Sequence, residues 1–206
     1  AVTNGHNIID GTNGLSGLTS LSIFCSILYI GLFLNDTLLI NSSIFIISLL
    51  ISFLIFNYPY GKIFLGDCGS YFLGFYAGYL IIYLFGKYPE LPTWSAVVIL
   101  YYPCMEVIFS YFRKIISKKS PFKPDNLHLH LKIYYLLSHK RKTSKLFNSL
   151  VAPFLSILWL SPLAILPFSI KNSTLSIIVV IFLIFSYIFL YLAIPPLINN
   201  DKKANL

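Results

Sequence analysis

Charge is what this sequence has least of. Of its 206 residues only 11% are charged, against 57% hydrophobic, and the mean hydropathy is +0.78. A soluble domain carries about a quarter charged residues, so an ordinary cytosolic globule, a disordered chain and a disulfide scaffold are all excluded. Cysteine is scarce too. Cys25, Cys68 and Cys104 show no metal-type spacing, and two of them fall in apolar runs, so a disulfide is not expected. Period-2 alternation is missing, which excludes membrane strands, and no tandem repeat or low-complexity linker is visible. Lipid is the solvent for most of this chain.

What is present is a series of apolar stretches, at approximately 15–34, 38–56, 70–86, 92–112, 147–170 and 174–194. Each is of the order of the ~20 residues that cross a hydrocarbon core as a helix. Helices satisfy their own backbone in lipid, so the reading is an all-α integral membrane protein of about six transmembrane helices. The net charge is +8, and ten of the 15 Lys and Arg lie between Arg113 and Lys145. Set between apolar spans, that block reads as a positive-inside signal, and no nucleic-acid partner is expected. With 113–145 cytoplasmic, parity puts 1–14, 57–69 and the tail with Lys202 and Lys203 on the same side. The outer connections are short and hold only two basic residues, Lys87 and Lys171.

Three polar segments then share the cytoplasmic face, and they are expected to form the functional loops (4–14, 57–70 and 113–145) of a single membrane domain over 1–206. The first runs Asn4-Gly5-His6-Asn7-Ile8-Ile9-Asp10-Gly11-Thr12-Asn13-Gly14. The second is Gly61-Lys62-Ile63-Phe64-Leu65-Gly66-Asp67-Cys68-Gly69-Ser70, and the third is Pro121 to His130. Turn and cap chemistry would account for Asp10-Gly11 and Gly66-Asp67. A carboxylate followed by glycines at a membrane boundary also suits a divalent cation with phosphate oxygens. His128 and His130 share a side only if their segment is extended, where they could bind an anion or move a proton. His139, among Lys140, Arg141 and Lys142, reads as solvated.

Glu106 lies inside the fourth apolar run. A carboxylate there is costly and either packs against a basic partner or lines a site. Pro103, one turn earlier, is expected to kink the helix. Together the three segments suggest a phosphorylated soluble donor meeting a lipid acceptor, with Mg²⁺ neutralising a diphosphate. Residue chemistry by itself reaches phosphoryl transfer as a class and no further.

The segments resemble the polyprenyl-phosphate N-acetylhexosamine-1-phosphate transferases, glycosyltransferase family 4, which initiate bacterial cell-wall and O-antigen polymers. The resemblance rests on Asn7-x-x-Asp10-Gly11-x-x-Gly14, Lys62-Ile63-Phe64-Leu65-Gly66-Asp67-x-Gly69-Ser70, Pro103-x-x-Glu106 and Ser120-Pro121-Phe122-Lys123-Pro124-Asp125-x-x-His128-x-His130. The Pro-Phe-Lys-Pro-Asp stretch is closer to the UDP-N-acetylglucosamine branch than to the muramoyl-pentapeptide branch.

The resemblance implies transfer of a sugar 1-phosphate from a UDP-N-acetylhexosamine to undecaprenyl phosphate, with release of UMP, in the bacterial inner membrane. It implies Mg²⁺, with Mn²⁺ as a substitute, and Asp67 as its ligand. Asp10, Asp67, His128 and His130 would be catalytic, the histidines near the sugar phosphate. Phe64 would stack on uracil beside Thr12 and Asn13. Asn7 and Gly66 would line the donor site, and Lys62 would meet phosphate.

Three departures stand out. Leu131 occupies the place of a further histidine, and Glu106 that of an aspartate. No adjacent Asp-Asp pair exists in the 206 residues, although the family carries one upstream of the first motif. The family fold has about ten or eleven helices, so the chain is expected to match the C-terminal six. A homodimer or an N-terminal half is then a conceivable partner. The alternatives are a non-catalytic fragment that binds a UDP-sugar, and a secondary transporter with Asp10, Asp67 and Glu106 as coupling groups.

Overall fold

The computed structural model describes residues 1–121, 126–139 and 146–195. In chain order its helices are α1 (Val2–Ile9), α2 (Leu15–Leu34), α3 (Thr37–Asn57), α4 (Gly66–Lys87), α5 (Trp94–Ile99) and α6 (Tyr101–Ile116). They continue with α7 (Leu129–His139), α8 (Leu146–Ser149), α9 (Val151–Phe154), α10 (Ser156–Trp159), α11 (Ser161–Ser169) and α12 (Ser173–Ala193). Among the described residues there is no strand, and the chain is an all-α membrane protein.

Among the described residues four helices, α2, α3, α4 and α12, are long and apolar enough to cross a bilayer, and the bent pair Phe147–Phe154 and Ser156–Ser169 makes a fifth if counted as one span. The six apolar runs therefore do not become six simple spans. The run at 92–112 is broken at Leu100 into α5 and α6, three residues before Pro103. Proline has no N–H to donate one turn back and its ring crowds that carbonyl, so the break sits where this physics requires it. The run at 147–170 is divided at Leu150, Leu155 and Leu160, with Pro153 following the first break and Pro162 the last, while Pro167 sits inside α11 without ending it.

Span ends follow local chemistry. Asp36 caps α3 by accepting from the backbone N–H groups of Leu38 and Leu39 at 3.0 and 3.1 Å, and Asn172 caps α12 through Leu175 N at 3.0 Å. Gly14 precedes α2 at φ +81°, with the Tyr58 ring lying where a Cβ would stand.

Two helices lie within segments expected to be loops. α1 occupies most of the first motif, and α7 lies inside the basic stretch 113–145. An eight-residue helix is marginal alone, and packing holds α1 in place. A Cβ on Gly5 would stand 2.2 Å from the Pro103 carbonyl oxygen of α6, and one on Gly74 of α4 would stand 2.6 Å from Thr3 Cα. Backbone thus lies on backbone, and α1 is wedged between α4 and α6.

Two apolar clusters fill the interior. One joins α6, α7 and α12 through Tyr102, Met105, Ile133, Leu183 and Tyr187, and the other joins α2, α3, α4 and α11 through Phe24, Ile46, Leu80 and Leu166. The outer faces carry exposed Phe45, Ile55, Phe75, Ile82, Phe189 and Leu192. Such a surface belongs against lipid acyl chains.

Candidate active site

The motif residues converge at one end of the bundle. α1 carries Asn7 across α4, where its side-chain amide donates to Asp67 Oδ1 at 2.7 Å and to Ser70 Oγ at 3.3 Å. Just past α1, Asp10 Oδ2 accepts the backbone N–H of Gly66 at 3.0 Å. A carboxylate from the first motif thereby satisfies an open N–H at the start of α4, where the helix dipole also favours negative charge. Gly66 takes φ +63°, a conformation that glycine adopts without strain.

Burial pushes the Asp10 carboxyl up to about 6, the Gly66 N–H opposes that, and the charge of Asp67 adds to it. Asp67, Gly66 and Lys62 are exposed, and Phe64 presents its ring to solvent at 51% exposure.

Glu106 has resolved its two readings through particular partners. The carboxylate is fully buried, and His128 Nδ1 lies 3.2 Å from Oε2 while His130 Nδ1 lies 3.2 Å from Oε1. Tyr102 OH donates to Oε1 at 3.2 Å. The two imidazoles stack with centroids 5.7 Å apart and planes 24° from parallel. An extended segment is not needed to align them: His128 precedes α7 and His130 stands in its first turn. Removing one partner from such a buried, hydrogen-bonded ionic group typically costs about 3–5 kcal/mol. His130 Nε2 lies 3.8 Å from the point where a Cβ on Gly11 would stand, which brings the third motif onto the first.

Thr12 and Asn13 are buried, at 2% and 3% exposure. The Asn13 amide donates to the Pro59 carbonyl at 2.8 Å, and its backbone N–H donates to Asn148 Oδ1 at 3.0 Å. As they stand, both residues shape the loop and present little surface to a base. Phe122, Lys123, Pro124 and Asp125 of the third motif lie outside the described residues, as do Lys140–Lys142, Lys145, Lys202 and Lys203.

Sequence reading passed over Asn57. This last residue of α3 accepts from Gly14 N at 2.6 Å and donates to the Ile63 carbonyl at 2.7 Å, stitching the first two motifs together. Its signal was an amide at the end of an otherwise apolar run.

Among the described residues no three His, Cys, Asp or Glu side chains gather as a metal site. Asp67 Oδ2 and Asp10 Oδ1 have no hydrogen bond there, and the two carboxylates feel each other's charge. That donor set fits Mg²⁺, which is commonly held by one or two carboxylates and completes its shell with phosphate oxygens and water. An apolar hollow of about 170 Å³ between α3 and α4 is lined by Phe53, Leu65, Gly69 and Phe72, among others. At about 100° per residue, Gly69 and Phe72 face away from the Asp67 side of α4.

Comparison with known proteins agrees with the motifs. Residues 1–85 match the family described as glycosyl transferase family 4. A probable undecaprenyl-phosphate N-acetylglucosaminyl 1-phosphate transferase of Bacillus subtilis is 33% identical over 143 residues, which is 68% of this chain and 39% of that protein. The undecaprenyl-phosphate alpha-N-acetylglucosaminyl 1-phosphate transferase of Thermotoga maritima is 33% identical over 129 residues, 63% of this chain and 38% of the relative. A phospho-N-acetylmuramoyl-pentapeptide-transferase of Leuconostoc mesenteroides is 39% identical over 72 residues, 35% of this chain and 22% of the relative. No solved structure matches the chain. Residues 1–85 thus match glycosyl transferase family 4, and the chain resembles the undecaprenyl-phosphate N-acetylglucosaminyl 1-phosphate transferases over about two-fifths of their length.

Proposed function

We propose that the chain contributes the donor-side active site of an enzyme that moves a sugar 1-phosphate from a UDP-N-acetylhexosamine to undecaprenyl phosphate, releasing UMP at the cytoplasmic face of a bacterial inner membrane. The observation that supports this most is the meeting of Asn7, Asp10, Gly66, Asp67 and His130, from three distant segments, at one end of a lipid-facing bundle.

In this reading Asp67, with Asp10 beside it, holds Mg²⁺, for which Mn²⁺ can substitute. When bound, the ion supplies charge neutralisation for the diphosphate and its leaving group. Asn7 orients the Asp67 carboxylate, and the Gly66 turn lets phosphate oxygens come close to backbone. Phe64 offers a ring to uracil, Lys62 a cation to phosphate, and His128 and His130 organise the sugar phosphate.

A second reading is favoured by one sequence fact, the absence of any adjacent aspartate pair in the 206 residues. The chain would then bind a UDP-sugar and turn over only with an N-terminal half supplying that pair. A transporter is disfavoured because Asp10 lies between helices and Asp67 in the first turn of one, away from a bilayer midplane.

The test is UMP release by purified protein in detergent, with Mg²⁺, undecaprenyl phosphate and a panel of UDP-N-acetylhexosamines, against Asp67→Asn. Asp67-dependent release supports transfer by this chain and identifies the sugar. Donor binding without release, cured by adding an N-terminal half, supports the second reading. Absence of donor binding overturns both.

A further inference from the structure

We propose that Glu106 is the positioning residue of this site, a buried acceptor that fixes both histidines in the Nδ1–H form and aims His130 Nε2 at the Asp10-Gly11 turn. The inference rests on the site assignment above for its kinetic consequence, and on geometry alone for the tautomers.

A carboxylate has only acceptors to offer. Each Glu106 oxygen stands 3.2 Å from a different Nδ1, so each ring must bring a proton on that nitrogen. A neutral imidazole with Nδ1 protonated carries its lone pair on Nε2. For His130 that atom faces Gly11, where even a methyl would reach van der Waals contact at 3.8 Å, and the side chain as a whole is buried. Tyr102 adds a third donor, to the oxygen that already serves His130. The device is carried by α6, which is wedged against α1 at Gly5 and Pro103, so the helix that holds the histidines also seats the motif they face.

A histidine held in this way can accept a proton or a hydrogen bond at Nε2 and, once protonated, donate to a phosphate oxygen from the same atom. The opposite tautomer would place a proton where the lone pair is needed. Glutamine at 106 cannot hold the pair, because its side chain has one carbonyl oxygen and one NH₂. It accepts from one Nδ1–H and donates to the other Nδ1, forcing at least one ring into the Nε2–H form. Aspartate keeps both acceptors and loses one methylene of reach.

The experiment is nitrogen-15 NMR of histidine-labelled protein in detergent at about pH 8, above the ordinary histidine value of about 6.5, with His128 and His130 assigned by substitution. His6 is the internal control, since its Nδ1 lies 3.1 Å from the Val2 carbonyl, also purely an acceptor. The expected result is Nδ1–H at His6, His128 and His130 in the parent. In Glu106→Gln, at least one of the pair changes to Nε2–H while His6 stays as it was, which reports an intact fold.

Kinetically, Glu106→Gln lowers kcat for UMP release by about tenfold or more with little change in the UDP-sugar KM, and Glu106→Asp recovers part of the loss. Nε2–H at His130 in the parent overturns the proposal, and so does an unaltered tautomer pattern in Glu106→Gln. If the parent releases no UMP yet shows the expected tautomers, the clamp stands and the assignment of transfer to this chain alone falls.

Discussion

Two aspartates stand at helix N-termini at opposite ends of this bundle, and they are used in opposite ways. At the end away from the motifs, Asp36 caps α3 with Oδ1 while Oδ2 accepts from Lys87 at 2.7 Å, Tyr88 at 2.9 Å and Tyr83 at 3.2 Å. Burial pushes its pKa up, but the Lys87 ammonium, the Leu39 N–H and the two tyrosine hydroxyls outweigh that and hold it well below the usual carboxylate range. At the motif end, Asp67 accepts one amide and Asp10 one backbone N–H, and each repels the other's charge. A carboxylate whose acceptors are all occupied ties α2, α3 and α4 together. One with an unused oxygen and a like-charged neighbour is prepared for a cation that the chain does not itself supply.

The sharpest way to break that contrast is to neutralise each side. Asp67→Asn should lower Mg²⁺-dependent UMP release by at least about 100-fold, the scale of losing one electrostatic stabiliser, and leave the melting temperature near the parent's. Asp36→Asn should do the reverse, keeping turnover while costing about 1–2 kcal/mol in chemical denaturation. Loss of turnover in Asp36→Asn, or none in Asp67→Asn, would remove the distinction.

Next in size is the wedge that carries the first motif. Gly74→Ala puts a methyl 2.6 Å from Thr3 Cα, a backbone clash with no flexible side chain to yield. UDP-sugar binding by calorimetry should fall by about tenfold or more, with a stability loss of about 1–3 kcal/mol. Phe64→Ala, which leaves the fold alone, should weaken donor binding by about 1–3 kcal/mol, the scale of base stacking on an aromatic ring.

The smallest expected effect is in pH dependence, where the two ends carry opposite signs. The folded state raises Asp10 from 3.8 to about 6, so it favours the protonated form, and the stability this group contributes declines as pH rises from about 4 to 6. Asp36 is lowered, so its contribution is full above its ordinary value of 3.8 and is lost as pH falls below it. Melting across pH 3 to 7 should therefore flatten at the upper end in Asp10→Asn and at the lower end in Asp36→Asn.

Much of the fold was legible because its cause is local. The ends of α2, α3 and α12 fall within a residue or so of the apolar runs, since Asn35, Asp36 and Asn172 stop or start helices by their own backbone and side-chain chemistry. The break before Pro103 follows from one ring. α1 and α7 were hidden because motif residues crowd them. The helical pattern of α1 shows only once the neighbours that bury Gly5, His6 and Ile9 are known. Asn57, Asn148 and Tyr102 act at this site through partners 43, 135 and 4 residues away in sequence, and only the last separation has helical meaning.

By itself the sequence determined that the chain lives in lipid, that its polar segments share one end, and which residue types gather there. Hydropathy and helix parity need no knowledge of neighbours. Only the tertiary structure decided that Asp10 would reach Gly66, that Asn7 would reach Asp67, and that Glu106 would take both histidines as its partners. Those choices depend on α1 lying backbone to backbone against α4 and α6. Such a contact is set by Gly5 lying against Pro103 and Gly74 against Thr3 across distant segments, and no local pattern encodes it.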